Sequence, residues 1–103
     1  MADMKLDNQP LRSAGNGEIL ATAILAALDR DESVRVDFAQ VEMMTPSYAN
    51  AMVMTLLDRF TVAELKTRCE LANRSAVVIA AMNTAVRRYL GGIRLSTQRH
   101  ATT

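Results

Sequence analysis

Val34-Arg35-Val36-Asp37-Phe38 and, after a short link, Thr45-Pro46-Ser47-Tyr48-Ala49 are the stretches that decide the fold. In the first, Val34, Val36 and Phe38 alternate with Arg35 and Asp37, the period of two expected of a strand with one apolar face. Ala39 to Met44 is an irregular link that carries Val41 inward. Thr45-Pro46 then starts a helix. The residue before a proline is pushed toward extended backbone angles, which an N-cap needs, and a proline at the first helical position forfeits no hydrogen bond. From Pro46 to Phe60 the apolar residues Ala49, Met52, Val53, Leu56, Leu57 and Phe60 fall on one broad helical stripe.

Upstream, Leu20, Ile24, Ala27 and Leu28 make an apolar stripe that predicts a helix over Glu18–Arg30, with Asn16 as its N-cap. Pro10 to Gly17 reads as a breaker-rich loop, and Lys5-Leu6-Asp7 as a short edge strand at most. Downstream, Thr61–Lys66 reads as a connector and Thr67–Leu71 as a second strand, followed by a turn at Asn73–Ser75. A further helix is predicted over Ala76–Leu90, with Val78, Ile79, Met82, Ala85, Val86 and Tyr89 inward and Gly91-Gly92 as its stop. Ile93 and Leu95 suit a short terminal strand, and Ser96–Thr103 a frayed tail. Helices alternating with strands imply a small α/β domain, its mainly parallel strands packed by about three helices. One domain is expected over residues 1–103, with weakly ordered ends at 1–9 and 97–103.

Composition narrows the function. The chain has 103 residues, half of them hydrophobic, and a formal net charge of +1. That balance gives no electrostatic pull toward nucleic acid or an anionic membrane surface. Arg87, Arg88, Arg94 and Arg99 cluster toward the C-terminus, but no aromatic platform accompanies them. The longest apolar stretch, Ile19 to Leu28, is ten residues interrupted by Thr22, well short of the roughly 18 to 20 that a bilayer needs. Nothing near Met1 has the apolar core of a targeting signal, and a lone cysteine, Cys69, fits a reducing compartment. A cytoplasmic location is therefore expected.

Catalytic chemistry is thinly provided. The single histidine is His100, in the expected tail, so neither a nucleophile–base pair nor a metal cluster is assembled. Cys69 reads as a small buried hydrophobe, and Gly15-Asn16-Gly17 as loop and cap rather than a phosphate cradle. Asp37 faces away from the apolar side of its strand and suits a structural role. No concave pocket with convergent polar groups is evident, and the expectation is a protein that is no enzyme, with no catalytic residue, no cofactor and no metal.

Around the second helix, Ser47, Asn50, Ala51, Met54 and Asp58 share one sector opposite the core stripe, with Tyr48 on its flank. Small side chains and an outward methionine suit a docking face as well as they suit a plain solvated one. Ser47 stands at the second helical position, where unpaired N–H groups and the helix dipole favour negative charge. A phosphate there would be tolerated by the fold and resisted by an apolar or acidic partner. The same face without modification would serve a constitutive scaffold.

At these residues the chain resembles the STAS superfamily (sulphate transporter and anti-sigma factor antagonist), most closely its STAS-like branch of small bacterial proteins. The resemblance rests on Val34-Arg35-Val36-Asp37-Phe38 through Val41 and on Met44-Thr45-Pro46-Ser47-Tyr48-Ala49. It extends to Leu11-Arg12-Ser13 and Leu71-Ala72-Asn73, over roughly residues 10 to 90. Anti-sigma factor antagonists carry Asp-Ser-Ser-Gly at this helix start. Their second serine is phosphorylated by a partner of the histidine-kinase-like ATPase fold. Placed on this chain, Thr45 stands at the Asp, Pro46 at the first Ser, Ser47 at the phosphorylated Ser and Tyr48 at the Gly. The resemblance thus implies an anti-sigma-type or related ATPase as protein partner. Partner contacts are expected from Thr45, Ser47, Tyr48, Asn50, Ala51 and Met54, with Ser47 as the phosphorylation site.

Overall fold

The computed structural model describes the backbone of residues 2–6 and 12–102, and side chains as far as residue 91. Three parallel strands, β1 (Ala2–Lys5), β2 (Val34–Asp37) and β3 (Cys69–Ala72), lie in the order β1-β2-β3. Between and after them run α1 (Ala14–Asp29), α2 (Pro46–Leu57), α3 (Val62–Arg68) and α4 (Ala76–Thr102). Because both crossovers step the same way across the sheet, the right-handed rule places their helices on one face. Burial agrees. Val34 and Val36 are buried on the inner face, whereas the strand register lines up Asp3, Arg35 and Glu70 in one row of the outer face. Arg35 closes that row with a 3.1 Å ion pair to Glu70. The sheet is apolar toward the helices and charged on its other face, although parallel sheets are usually covered on both.

Between sheet and helices lies one core in which Ile24 and Leu28 of α1, Phe38, Met52 of α2 and Val78 of α4 are fully buried. Each such side chain contributes about 1.5–3 kcal/mol. Helices α1 and α2 pack against each other more tightly than ordinary side chains allow. A Cβ on Gly17 would lie 2.4 Å from the Tyr48 carbonyl oxygen, so only glycine permits this approach. At the far end, Arg59 forks onto Asp29 at 2.7 and 3.1 Å, and Arg68 donates to the Leu28 carbonyl at 2.7 Å while lying over the Phe60 ring. Tyr89 ties α4 to the end of α2 by donating to the Leu57 carbonyl and the Asp58 carboxylate, each at 3.1 Å.

Several local expectations are corrected. The first helix starts at Ala14 with Ser13, not Asn16, as N-cap; the Ser13 hydroxyl accepts from the Asn16 N–H at 3.0 Å. Its end is a Schellman turn in which Asp31 takes φ 59°, Asp31 N–H donates to Leu28 and Glu32 N–H to Ala27. The first strand is Ala2–Lys5 rather than Lys5–Asp7, and Asp7 lies outside the described residues. The expected connector Thr61–Lys66 is taken up by the cap and first turns of α3, started by a reciprocal capping box between Thr61 and Glu64. This shifts the following strand from Thr67–Leu71 to Cys69–Ala72. The second helix ends at Leu57 rather than Phe60, and Ile79 is exposed rather than inward. The fourth helix runs through Gly91-Gly92 and takes in Ile93 and Leu95. A glycine stop requires the left-handed conformation, and no described glycine has positive φ; a helical glycine costs only about 1 kcal/mol. The tail side chains, His100 included, lie outside the described set.

At the end of β2, the Asp37 carboxylate accepts from the Ala39 N–H at 2.9 Å and from the Asn73 side-chain amide at 3.1 Å. Asn73, at φ 59°, is of a type that visits the left-handed region readily. The Asn73 amide first and the Ala39 N–H second hold the Asp37 carboxyl below its ordinary value, with the cations Arg35 and Lys5 adding to the effect. A lowered carboxyl stabilises the fold above the ordinary carboxylate range and loses that contribution as pH falls through the folded value. Urea unfolding of wild type and Asp37→Asn is expected to show a stability gap at neutral pH that closes in acid. A gap unchanged between about pH 7 and pH 2 contradicts the assignment.

The helix contact yields a second expectation. Gly17→Ala destabilises by about 1–3 kcal/mol, the usual cost of overpacking. Gly15→Ala, with nothing within 4 Å of its Cβ, stabilises by about 0.4–1 kcal/mol. Denaturant titration of both variants checks the pair.

Candidate functional site

The start of α2 is built from three segments. Thr45, extended at φ −76° and ψ 157°, caps the helix, and Pro46 occupies its first position. The Thr45 hydroxyl accepts from the Tyr48 N–H at 3.3 Å and donates to the Arg12 carbonyl at 2.7 Å. Since Arg12 immediately precedes the Ser13 cap of α1, one hydroxyl fastens the beginnings of both helices together. Both follow strands of a parallel sheet, so their positive dipole ends gather at its carboxyl edge.

This clasp joins the Gly17 contact and the core in setting which way α2 faces. Tyr48, Ala49, Met52, Val53 and Leu56 are buried. Ser47 and Asp58 are exposed, Met54 is 54% exposed, and Asn50 and Ala51 are half-buried. Ser47, Asn50, Ala51 and Met54 therefore form a continuous strip on the outer side of the helix, with Ser47 at its mouth. Tyr48 departs from the sequence expectation. Its side chain is only 3% exposed and burial pushes its hydroxyl pKa up, so it supports the helix from beneath and offers no surface. Thr45 is half-buried and engaged in the clasp; its part in the site is to position the helix. Sequence reasoning missed Arg12 and Gly17, which fix this geometry. Gly17 was legible as a glycine beside an apolar stripe, but reading it as loop concealed the close approach. Arg12 acts through its backbone carbonyl, which carries no sequence signal.

Among the described residues no group of three metal-ligating side chains converges, and no helix is long and apolar enough to cross a membrane. Cys69 is half-buried, and desolvation raises its thiol pKa, which leaves it a poor nucleophile. Asp37 and Asn73 are engaged in the turn already described.

The parallel three-stranded sheet, its one-sided helical cover and the clasped start of α2 define a small STAS-like α/β domain. The chain belongs to the family described as the STAS-like domain of unknown function, whose profile matches residues 16–78, more than half of the chain. The match runs from the first turn of α1 through both later strands to the first turn of α4 and includes all of α2. No curated protein and no solved structure is significantly similar to the chain.

Replacing Thr45 separates its two bonds from its shape. Thr45→Ala is expected to lower stability by about 0.5–2 kcal/mol, and Thr45→Ser to retain most of it. Thermal unfolding of the two variants makes the comparison, and equal losses would show that the hydroxyl does not hold the clasp.

Proposed function

We propose that this chain is a non-enzymatic protein-interaction module that docks a partner through the outer strip of α2. The partner is an anti-sigma-type or related ATPase of the histidine-kinase-like fold, and Ser47 is the control point. The observation that carries this reading is the exposure of Ser47 at the mouth of a strip that continues through Asn50 and Ala51 to Met54. Membership of a STAS-like family supports it, since STAS-like domains are generally non-enzymatic. A phosphate on Ser47 would sit on the second residue of α2, where the positive end of the helix dipole stabilises it by about 0.3–1 kcal/mol. Its charge of about −1.5 to −2 would oppose an apolar or acidic partner laid along Met54. The fold accepts the modification and the interface does not.

One observation favours a second reading, constitutive docking without phosphorylation. Thr45, which stands where the antagonists carry an acidic residue, is engaged in the clasp with Arg12, and no carboxylate takes its place beside Ser47 in the helix start Met44–Ala49. Two measurements separate the readings. Incubation with a histidine-kinase-like ATPase partner and ATP is expected to add about 80 Da, one phosphate, and Ser47→Ala is expected to abolish the shift. Ser47→Asp is expected to weaken partner binding about tenfold or more, and Met54→Asp to do the same without any kinase. A mass shift that survives Ser47→Ala removes Ser47 as the control point. Full binding by Ser47→Asp favours the scaffold, and full binding by Met54→Asp removes the strip.

A further inference from the structure

Away from the Ser47 strip, α2, α3, β3 and α4 enclose a cleft of about 370 Å³. That volume lies within the range of small-molecule sites, roughly 300–1,000 Å³. Its walls are mainly apolar, with Leu65 of α3, Cys69 of β3 and Met82 of α4 among them. The charged residues lining it are both cations, Lys66 from the end of α3 and Arg74 from the turn before α4, and Asn83 is the remaining polar side chain.

Arg74 distinguishes this cleft from a gap between helices. Of the half-buried arginines among the described residues, Arg35 is paired with the Glu70 carboxylate and Arg68 donates to the Leu28 carbonyl. Arg74, though half-buried, has its side-chain hydrogen bond to the Met82 sulfur at 3.9 Å, and a thioether is a weak acceptor. Among the described residues neither Arg74 nor Lys66 forms an ion pair. A guanidinium fork beside an apolar chamber, with a second cation on the same lining, complements a ligand with an apolar body and one anionic head.

We infer that the cleft binds a small amphipathic carboxylate, its alkyl chain between Leu65 and Met82 and its head group on Arg74 with support from Lys66. The site shares no residue with the Ser47 strip and stands independently of the function proposed for that strip.

Decanoate titrated into the full chain below its micellar concentration, followed by calorimetry, tests this inference; decanol and decyltrimethylammonium serve as neutral and cationic counterparts of equal chain length. Decanoate is expected to bind at least about tenfold more tightly than either counterpart. Arg74→Gln, and separately the exposed Lys66→Glu, are expected to weaken decanoate about tenfold or more, while Ser47→Asp leaves its affinity unchanged. Bound decanoate is also expected to slow alkylation of Cys69, which lines the same chamber. Absence of decanoate binding overturns the inference. So does decanol binding as tightly as decanoate, full decanoate affinity in Lys66→Glu or in a folded Arg74→Gln, or Cys69 alkylation at an unchanged rate.

Discussion

The structure depends on how closely α1 and α2 approach. Gly17 admits the Tyr48 carbonyl to a distance that any side chain would block, and the Thr45 hydroxyl bridges to the Arg12 carbonyl one turn away. Overpacking at such a contact has no inexpensive relief, because the obstructing atom belongs to the backbone. Helix α2 is thereby held in one rotational setting. Tyr48 and Met52 go under, and Ser47 and Met54 stay out. The Arg59–Asp29 fork and the Tyr89 hydrogen bonds fix the other end of the same helix. Exposed pairs of this kind contribute modestly, about 0–1 kcal/mol each, so the glycine contact and the core determine the setting.

The two sites proposed above lie on different sides of α2. The outer strip presents small side chains and an adaptable methionine, which suit a protein surface. The other flank contributes Val53, Leu56 and Leu57 to a mainly apolar cleft that also carries Lys66 and Arg74. The outer face of the sheet carries a row of mixed charge through Asp3, Arg35 and Glu70.

Much of this was legible in the chain itself. The alternation over Val34–Phe38 and the Thr45-Pro46 start located the central strand and the helix that matters most, because strand period and N-cap chemistry are local. The orientation of Met54 followed from helical geometry alone. Tyr48 was harder. A tyrosine on the flank of an amphipathic helix can fall to either side, and its burial is set by a glycine some thirty residues earlier. Helix α3 was hidden in polar sequence, although Thr61 and Glu64 spell a capping box; it is seven residues long and buries none of them fully, so it shows no apolar period. The glycine pair in α4 suggested a stop that the backbone does not take. The cleft was invisible because its lining comes from four separate elements, and convergence of that kind is a tertiary property.

The claim on which both sides rest is the rotational setting of α2, and thiol accessibility reads it directly. In a Cys69→Ala background, single cysteines at Ser47, Met54 and Met52 are reacted with a charged maleimide under native conditions. The account requires Ser47→Cys and Met54→Cys to react at the rate of a solvated thiol, and Met52→Cys to react roughly a hundredfold or more slowly, limited by local opening. Protection at Ser47→Cys, or rapid reaction at Met52→Cys in a folded variant, would show that the helix faces another way.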